Sequence, residues 1–84
     1  MTDRSQVADR LRVVMAQVLD LEPADVGPGL TSATSTAWTS LNHLMLVSQL
    51  ENEFGVVFSN QEIKELTSYT AILETLTRRL DTVA

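Results

Sequence analysis

An all-α fold is predicted for this chain: a four-helix bundle with a short third helix and a long loop between helices 1 and 2. Three observations carry that expectation. Apolar residues recur at helical spacing over three separate stretches, and each stretch opens on a hydroxyl or carboxylate able to cap a helix. The one extended-looking run, Val56-Val57-Phe58, is too short to build a sheet without a partner strand. The 84 residues show no internal repeat or low-complexity tail, so they make one domain, 1–84, with room for a single modest core.

The first helix is expected from near residue 4, where Asp3 and Gln6 have capping-box spacing, to Leu21 at the latest, because Pro23 disfavours helical geometry at Glu22. Val7, Leu11, Val14 and Val18 line its apolar stripe, widened by Ala8, Met15 and Leu19. Residues 22–39 form the long connection, punctuated by Pro23, Gly27, Pro28 and Gly29, with Val26 and Leu30 as its anchors to the core. The second helix is expected from about Ser40 to Phe54, capped by Thr39 or Ser40 and stopped by Gly55. Its apolar residues are too many for one stripe. Leu46, Val47, Leu50 and Phe54 make the better buried set, leaving Leu41, Leu44 and Met45 partly exposed. Ser59 and Glu62 form a second capping-box pattern, opening a two-turn helix through Leu66. The last helix should begin after Thr67 or Ser68, run to about Leu80, and bury Tyr69, Ile72, Leu73, Leu76 and Leu80.

The formal net charge is −5. The middle of the chain carries it: Asp20, Glu22, Asp25, Glu51, Glu53, Glu62 and Glu65 stand against Lys64 alone between residues 20 and 65. Such a field repels phosphate backbones and anionic lipid and attracts basic protein patches, which argues against a nucleic-acid or membrane-surface partner. The absence of cysteine removes disulfides and thiolate metal sites, and no metal site is expected. The apolar runs Val13 to Ala16 and Leu44 to Val47 are far too short to span a bilayer, and the polar amino terminus lacks a signal core. A soluble, cytoplasmic monomer is the expectation.

Chemistry can be argued at Trp38-Thr39-Ser40-Leu41, the entrance of the second helix. A serine hydroxyl there lies beside free backbone N–H groups and the positive end of the helix dipole, which favours a phosphate group attached at that oxygen. Taken alone, Ser40 or Thr39 reads more readily as a structural N-cap, since a serine at that position is far more often structural than modified. Trp38 reads as a loop aromatic sealing the end of the bundle or, alternatively, as a cargo contact. His43 reads as an exposed helical residue one turn from Ser40. A Ser–His hydrolase finds little support: there is no Gly-x-Ser-x-Gly elbow, no other histidine and no clear acid to orient His43.

Over nearly its whole length the sequence resembles the acyl carrier protein family. The family's Asp-Ser-Leu motif and the helix ending in Glu-Phe-Gly are similar to Thr39-Ser40-Leu41 and Glu53-Phe54-Gly55, with ungapped spacing between them. Val18-Leu19-Asp20-Leu21 with Pro23-Ala24-Asp25-Val26 upstream, and Val56-Val57-Phe58 with Thr67-Ser68 downstream, extend the likeness. The resemblance implies that Ser40 accepts 4′-phosphopantetheine from coenzyme A, giving this cysteine-free chain a thiol on which acyl intermediates ride as thioesters. It implies a carrier rather than an enzyme, serving fatty-acid or polyketide-type biosynthesis, with a subgroup likeness to antibiotic and other natural-product pathways. The implied partners are a phosphopantetheinyl transferase and acyltransferase, ketosynthase or ligase-type loading and processing enzymes. Trp38, Thr39, Leu41, Leu44, Met45, Ser48 and Glu51 are the implied partner-binding residues.

The chain departs from the family pattern at three places. Thr36-Ala37 stands for the usual Leu-Gly, Thr39 stands for the aspartate, and the second helix is less acidic than is usual. Docking is therefore expected to lean on apolar contact by Leu41, Leu44 and Met45. A peptidyl or aminoacyl carrier and an unmodified helical docking domain are the alternative functions.

Overall fold

Side-chain periodicity decides which faces turn inward, and the computed structural model follows it. Residues 3–82 are described, with side chains from Asp3 to Asp81. Four helices appear in order, α1 (Arg4–Leu19), α2 (Ser40–Phe54), α3 (Asn60–Glu65) and α4 (Tyr69–Thr82), and a 3-10 turn (Pro23–Asp25) sits in the long loop. Among the described residues there is no strand; Thr31 and Ser68 make an isolated antiparallel bridge. No described helix is long and apolar enough to cross a membrane.

α1 is the central element, packed on both α2 and α4. That double contact explains the breadth of its buried face. Val7, Leu11, Val14, Met15, Ala16 and Leu19 are buried, while Val18, expected in the stripe, is half-buried at its edge. α2 buries Leu46, Val47, Leu50 and Phe54, the set expected from periodicity. Leu11, Met15, Leu46, Ile72 and Leu76 are fully enclosed, so the core is centred where α1, α2 and α4 meet. Tyr69, Ile72, Leu73 and Leu76 are buried as expected, with Leu80 half-buried against them. Val56 and Phe58 point inward and Val57 outward, an alternation that fastens the connection after α2 without a strand partner.

The helix ends are set by local chemistry. Asp3 caps α1, but its carboxylate accepts from Ser5 N–H, so the expected reciprocal box with Gln6 is replaced by a cap one residue nearer. α1 stops before Pro23 acts: Asp20 takes the left-handed conformation at φ 55°, and the Asp20 and Leu21 N–H groups both reach Ala16 O. Gly55, at φ 66°, ends α2 in the same way. α2 has no basic residue in its own last turn; Arg10 of α1 donates to the Glu53 carbonyl and carboxylate and lies 4.8 Å from the Phe54 ring centroid.

α3 is attached differently from the others. None of its residues is buried; Phe58 and Leu66 on either side of it are. Its capping box is complete, Ser59 and Glu62 each accepting from the other's N–H, and Arg79 of α4 donates to Glu62 at 2.6 Å and to Val57 O at 2.7 Å. The Ser59 N–H bond, followed by Arg79, holds the Glu62 carboxyl below its ordinary range, against a desolvation effect of opposite sign.

Two outcomes are expected. A carboxyl with a folded-state pKa below its unfolded value stabilises the fold above the ordinary glutamate range, and that contribution is lost as pH falls through the folded value. Denaturation midpoints of the natural chain should therefore drop on acidification more steeply than those of Glu62→Gln. Gly55→Ala should cost about 1 kcal/mol, whereas Asp20→Gly, which relieves a left-handed non-glycine residue, should be neutral or stabilising in the same denaturation measurement.

Candidate functional site

The long loop delivers the chain to α2 under several constraints. Thr31 and Thr34 bond each other through hydroxyls and main chain, with the two Oγ1 atoms 3.0 Å apart. Ser32 N–H donates to Thr67 O and Tyr69 N–H to Leu30 O, stitching the loop to the start of α4. Val26 is buried, Leu30 is half-buried, and Arg12 donates to Val26 O. Trp38 is 5% exposed and belongs to the core.

A buried indole needs a partner for its N–H. Trp38 Nε1–H donates to His43 Nδ1 at 3.0 Å, and the two rings stack with centroids 6.1 Å apart. The other imidazole nitrogen, Nε2, lies 2.9 Å from Ile63 O in α3. A carbonyl only accepts and an indole only donates, so the imidazole carries its proton on Nε2. His43 is thus half-buried and doubly engaged, which corrects the reading of it as an exposed helical residue. Burial of Trp38 is the physical reason. Neither ring nitrogen is directed at Ser40.

Thr39 is the cap of α2, its hydroxyl accepting from Asn42 N–H at 3.1 Å. Asn42 in turn donates its side-chain N–H to Ala37 O at 2.7 Å, so residues 37–39 are held from both sides. Threonine therefore performs the capping work an aspartate would do at this position, without its charge. Ser40 is the first residue of α2 and is exposed. Its amide and that of Leu41 precede the intrahelical ladder, at the positive end of a 15-residue helix.

A cleft of about 540 Å³ opens beside Ser40. Trp38, Thr39 and the α2 residues Ser40, His43 and Leu44 line it together with Ile63 and Lys64 of α3 and the loop residues Ser32 and Thr67. Leu41, Leu44, Met45 and Ser48 share one face of α2, and the three apolar side chains are 67%, 60% and 49% exposed. Glu51, one turn further on, is half-buried and accepts from Phe58 N–H, so one carboxylate oxygen works within the fold. Sequence reasoning missed His43 as a cleft residue, along with Ile63, Lys64, Ser32 and Thr67. The one available signal was the buried-type Trp38 five residues before the chain's only histidine.

A small helical bundle that exposes a serine at the head of its second helix, beside an open cleft, has the framework of a carrier domain. No family model matches the chain. Individual relatives do. It is 33% identical over 72 residues to the polyketide-8 synthase acyl carrier protein 2 of Streptomyces avermitilis, covering 86% of this chain and 83% of that one. It is also 24% identical over 78 residues to the acyl carrier protein of Thermosynechococcus vestitus, covering 93% and 96% respectively. The chain belongs to the acyl carrier protein family.

The cap assignment is testable by itself. Thr39→Ala should lower stability by about 1 kcal/mol in a denaturant titration, and Thr39→Asp should restore it.

Proposed function

We propose that this protein carries acyl groups for enzymes of fatty-acid or polyketide-type biosynthesis, with Ser40 as the attachment point for 4′-phosphopantetheine. The observation that carries the reading is the placement of Ser40. Its hydroxyl is exposed at the first position of α2, next to unladdered amides suited to a phosphate, in a chain with carrier relatives across most of its length.

The surroundings of Ser40 fit such a group. The Ser40 and Leu41 amides and the α2 dipole would favour the phosphate. Trp38, Leu44 and Ile63 beside the hydroxyls of Ser32, Thr39 and Thr67 would suit an arm that alternates amides with methylenes. When bound, the group supplies a terminal thiol for thioester linkage, in a chain that has no cysteine.

The chain's own residues position and present; the chemistry on the cargo belongs to separate enzymes. Both nitrogens of His43 are engaged elsewhere, so Ser40 has no general base in its own chain from that quarter, and activation of its hydroxyl falls to the attaching transferase. Leu41, Leu44, Met45 and Ser48 offer partner enzymes an exposed, mainly apolar docking face that runs away from Ser40, with Glu51 and the acidic middle of the chain supplying attraction to basic patches. Trp38 serves that surface indirectly, by fixing the loop beneath it.

Incubation with coenzyme A and a broad-specificity phosphopantetheinyl transferase should add one phosphopantetheine mass to the intact protein, and Ser40→Ala should abolish the gain. A folded chain that stays unmodified would contradict the proposal; a gain kept in Ser40→Ala would move the site.

A further inference from the structure

The cleft beside Ser40 has one firm wall and one lightly held wall. α2 is anchored by four buried side chains, whereas α3 has none of its own. Polar ties from neighbouring helices meet α3 at two adjacent residues: Glu62 pairs with Arg79 and, at 3.9 Å, with Arg78, and Ile63 O meets His43. The His43 contact lies within the cleft lining, and it is continuous with Trp38 through the Nε1–Nδ1 bond. Besides the long 3.4 Å bond from Leu66 N–H at the end of α3, the Ile63 carbonyl takes the shorter 2.9 Å contact from His43 Nε2. A side chain in the first turn of α2 thus grips the far wall, three residues from Ser40.

We propose that His43 is a positioning residue: by bridging Trp38 and Ile63 it pins α3 against the first turn of α2 and sets the shape of the cleft in which an arm on Ser40 lies. This rests on the reading of Ser40 as the attachment point. The ring has to accept at one nitrogen and donate at the other, so its replacement by an apolar ring leaves Trp38 N–H without this acceptor and Ile63 O with only the long bond from Leu66 N–H. Glutamine, with one acceptor and one donor group, can meet both needs. The bridge tells positioning apart from mere space-filling.

The test uses the full chain as the natural sequence, His43→Gln and His43→Phe. Amide hydrogen exchange of residues 60–67 should quicken by roughly tenfold in His43→Phe relative to the natural chain, with the α1 and α4 core amides unchanged and His43→Gln close to natural. Each protein is then loaded from a coenzyme A analogue bearing a fluorine label on the arm. The natural chain and His43→Gln should share a fluorine shift displaced from that of the free analogue, and His43→Phe should move toward the free value. Loading with the free-analogue shift in all three proteins, or unchanged exchange in α3, would overturn the role of His43 while leaving Ser40 as the attachment site. Failure of the natural chain to load would remove the reading on which it rests. Should His43→Phe not fold, Trp38→Phe keeps an aromatic in the loop, removes the N–H donor together with part of the ring, and is expected to show the same loss of displaced shift.

Discussion

The buried indole of Trp38 is the constraint around which the functional end of the molecule is organised. A tryptophan enclosed to this degree cannot leave its N–H without a partner at small cost; an unsatisfied buried donor costs about 1–3 kcal/mol. The partner is His43, which fixes the distance between the end of the long loop and the first turn of α2. The same imidazole reaches Ile63 O, so satisfying one buried donor also positions α3. Ser40 lies between the two residues in sequence and is exposed because its neighbours are held: Thr39 as the cap, Asn42 on Ala37 O, and Trp38 in the core.

Elsewhere the fold divides its labour between apolar burial and polar ties. Fully enclosed residues such as Leu11, Leu46, Leu50 and Leu76 carry stability, at about 2–5 kcal/mol for a leucine-to-alanine loss. Exposed ion pairs such as Arg10 with Glu53 contribute at most about 1 kcal/mol. What the polar ties do is place segments that burial alone leaves loose. Arg12 holds the loop at Val26, Glu51 holds the main chain at Phe58, and Arg79 holds both Val57 and Glu62. These contacts cluster at the connections and at α3, which contributes Ile63 and Lys64 to the cleft.

The sequence made some of this plain and hid the rest for identifiable reasons. The limits of α2 and its buried set follow from a capping threonine, a terminal glycine and strong periodicity, all of them local features. The box at Ser59 and Glu62 is likewise local. The left-handed Asp20 was hidden because aspartate adopts that conformation only occasionally, and the nearby Pro23 offered a competing explanation for the end of α1. The stitching of the loop to Ser68 and Tyr69 depends on main-chain groups that carry no sequence signal. At the proposed site, the place of Ser40 at the head of α2 was legible from the cap that precedes it. The role of His43 was not, because its second partner is a backbone carbonyl twenty residues away, and carbonyls are the same for every residue type.

With one tryptophan and one histidine in the chain, the central contact can be observed without ambiguity. A nitrogen-15 labelled sample should show a scalar coupling across the hydrogen bond between Trp38 Nε1 and His43 Nδ1, with the imidazole proton found on Nε2. An indole N–H that exchanges freely with solvent, or an imidazole proton residing on Nδ1, would contradict the arrangement that positions Ser40.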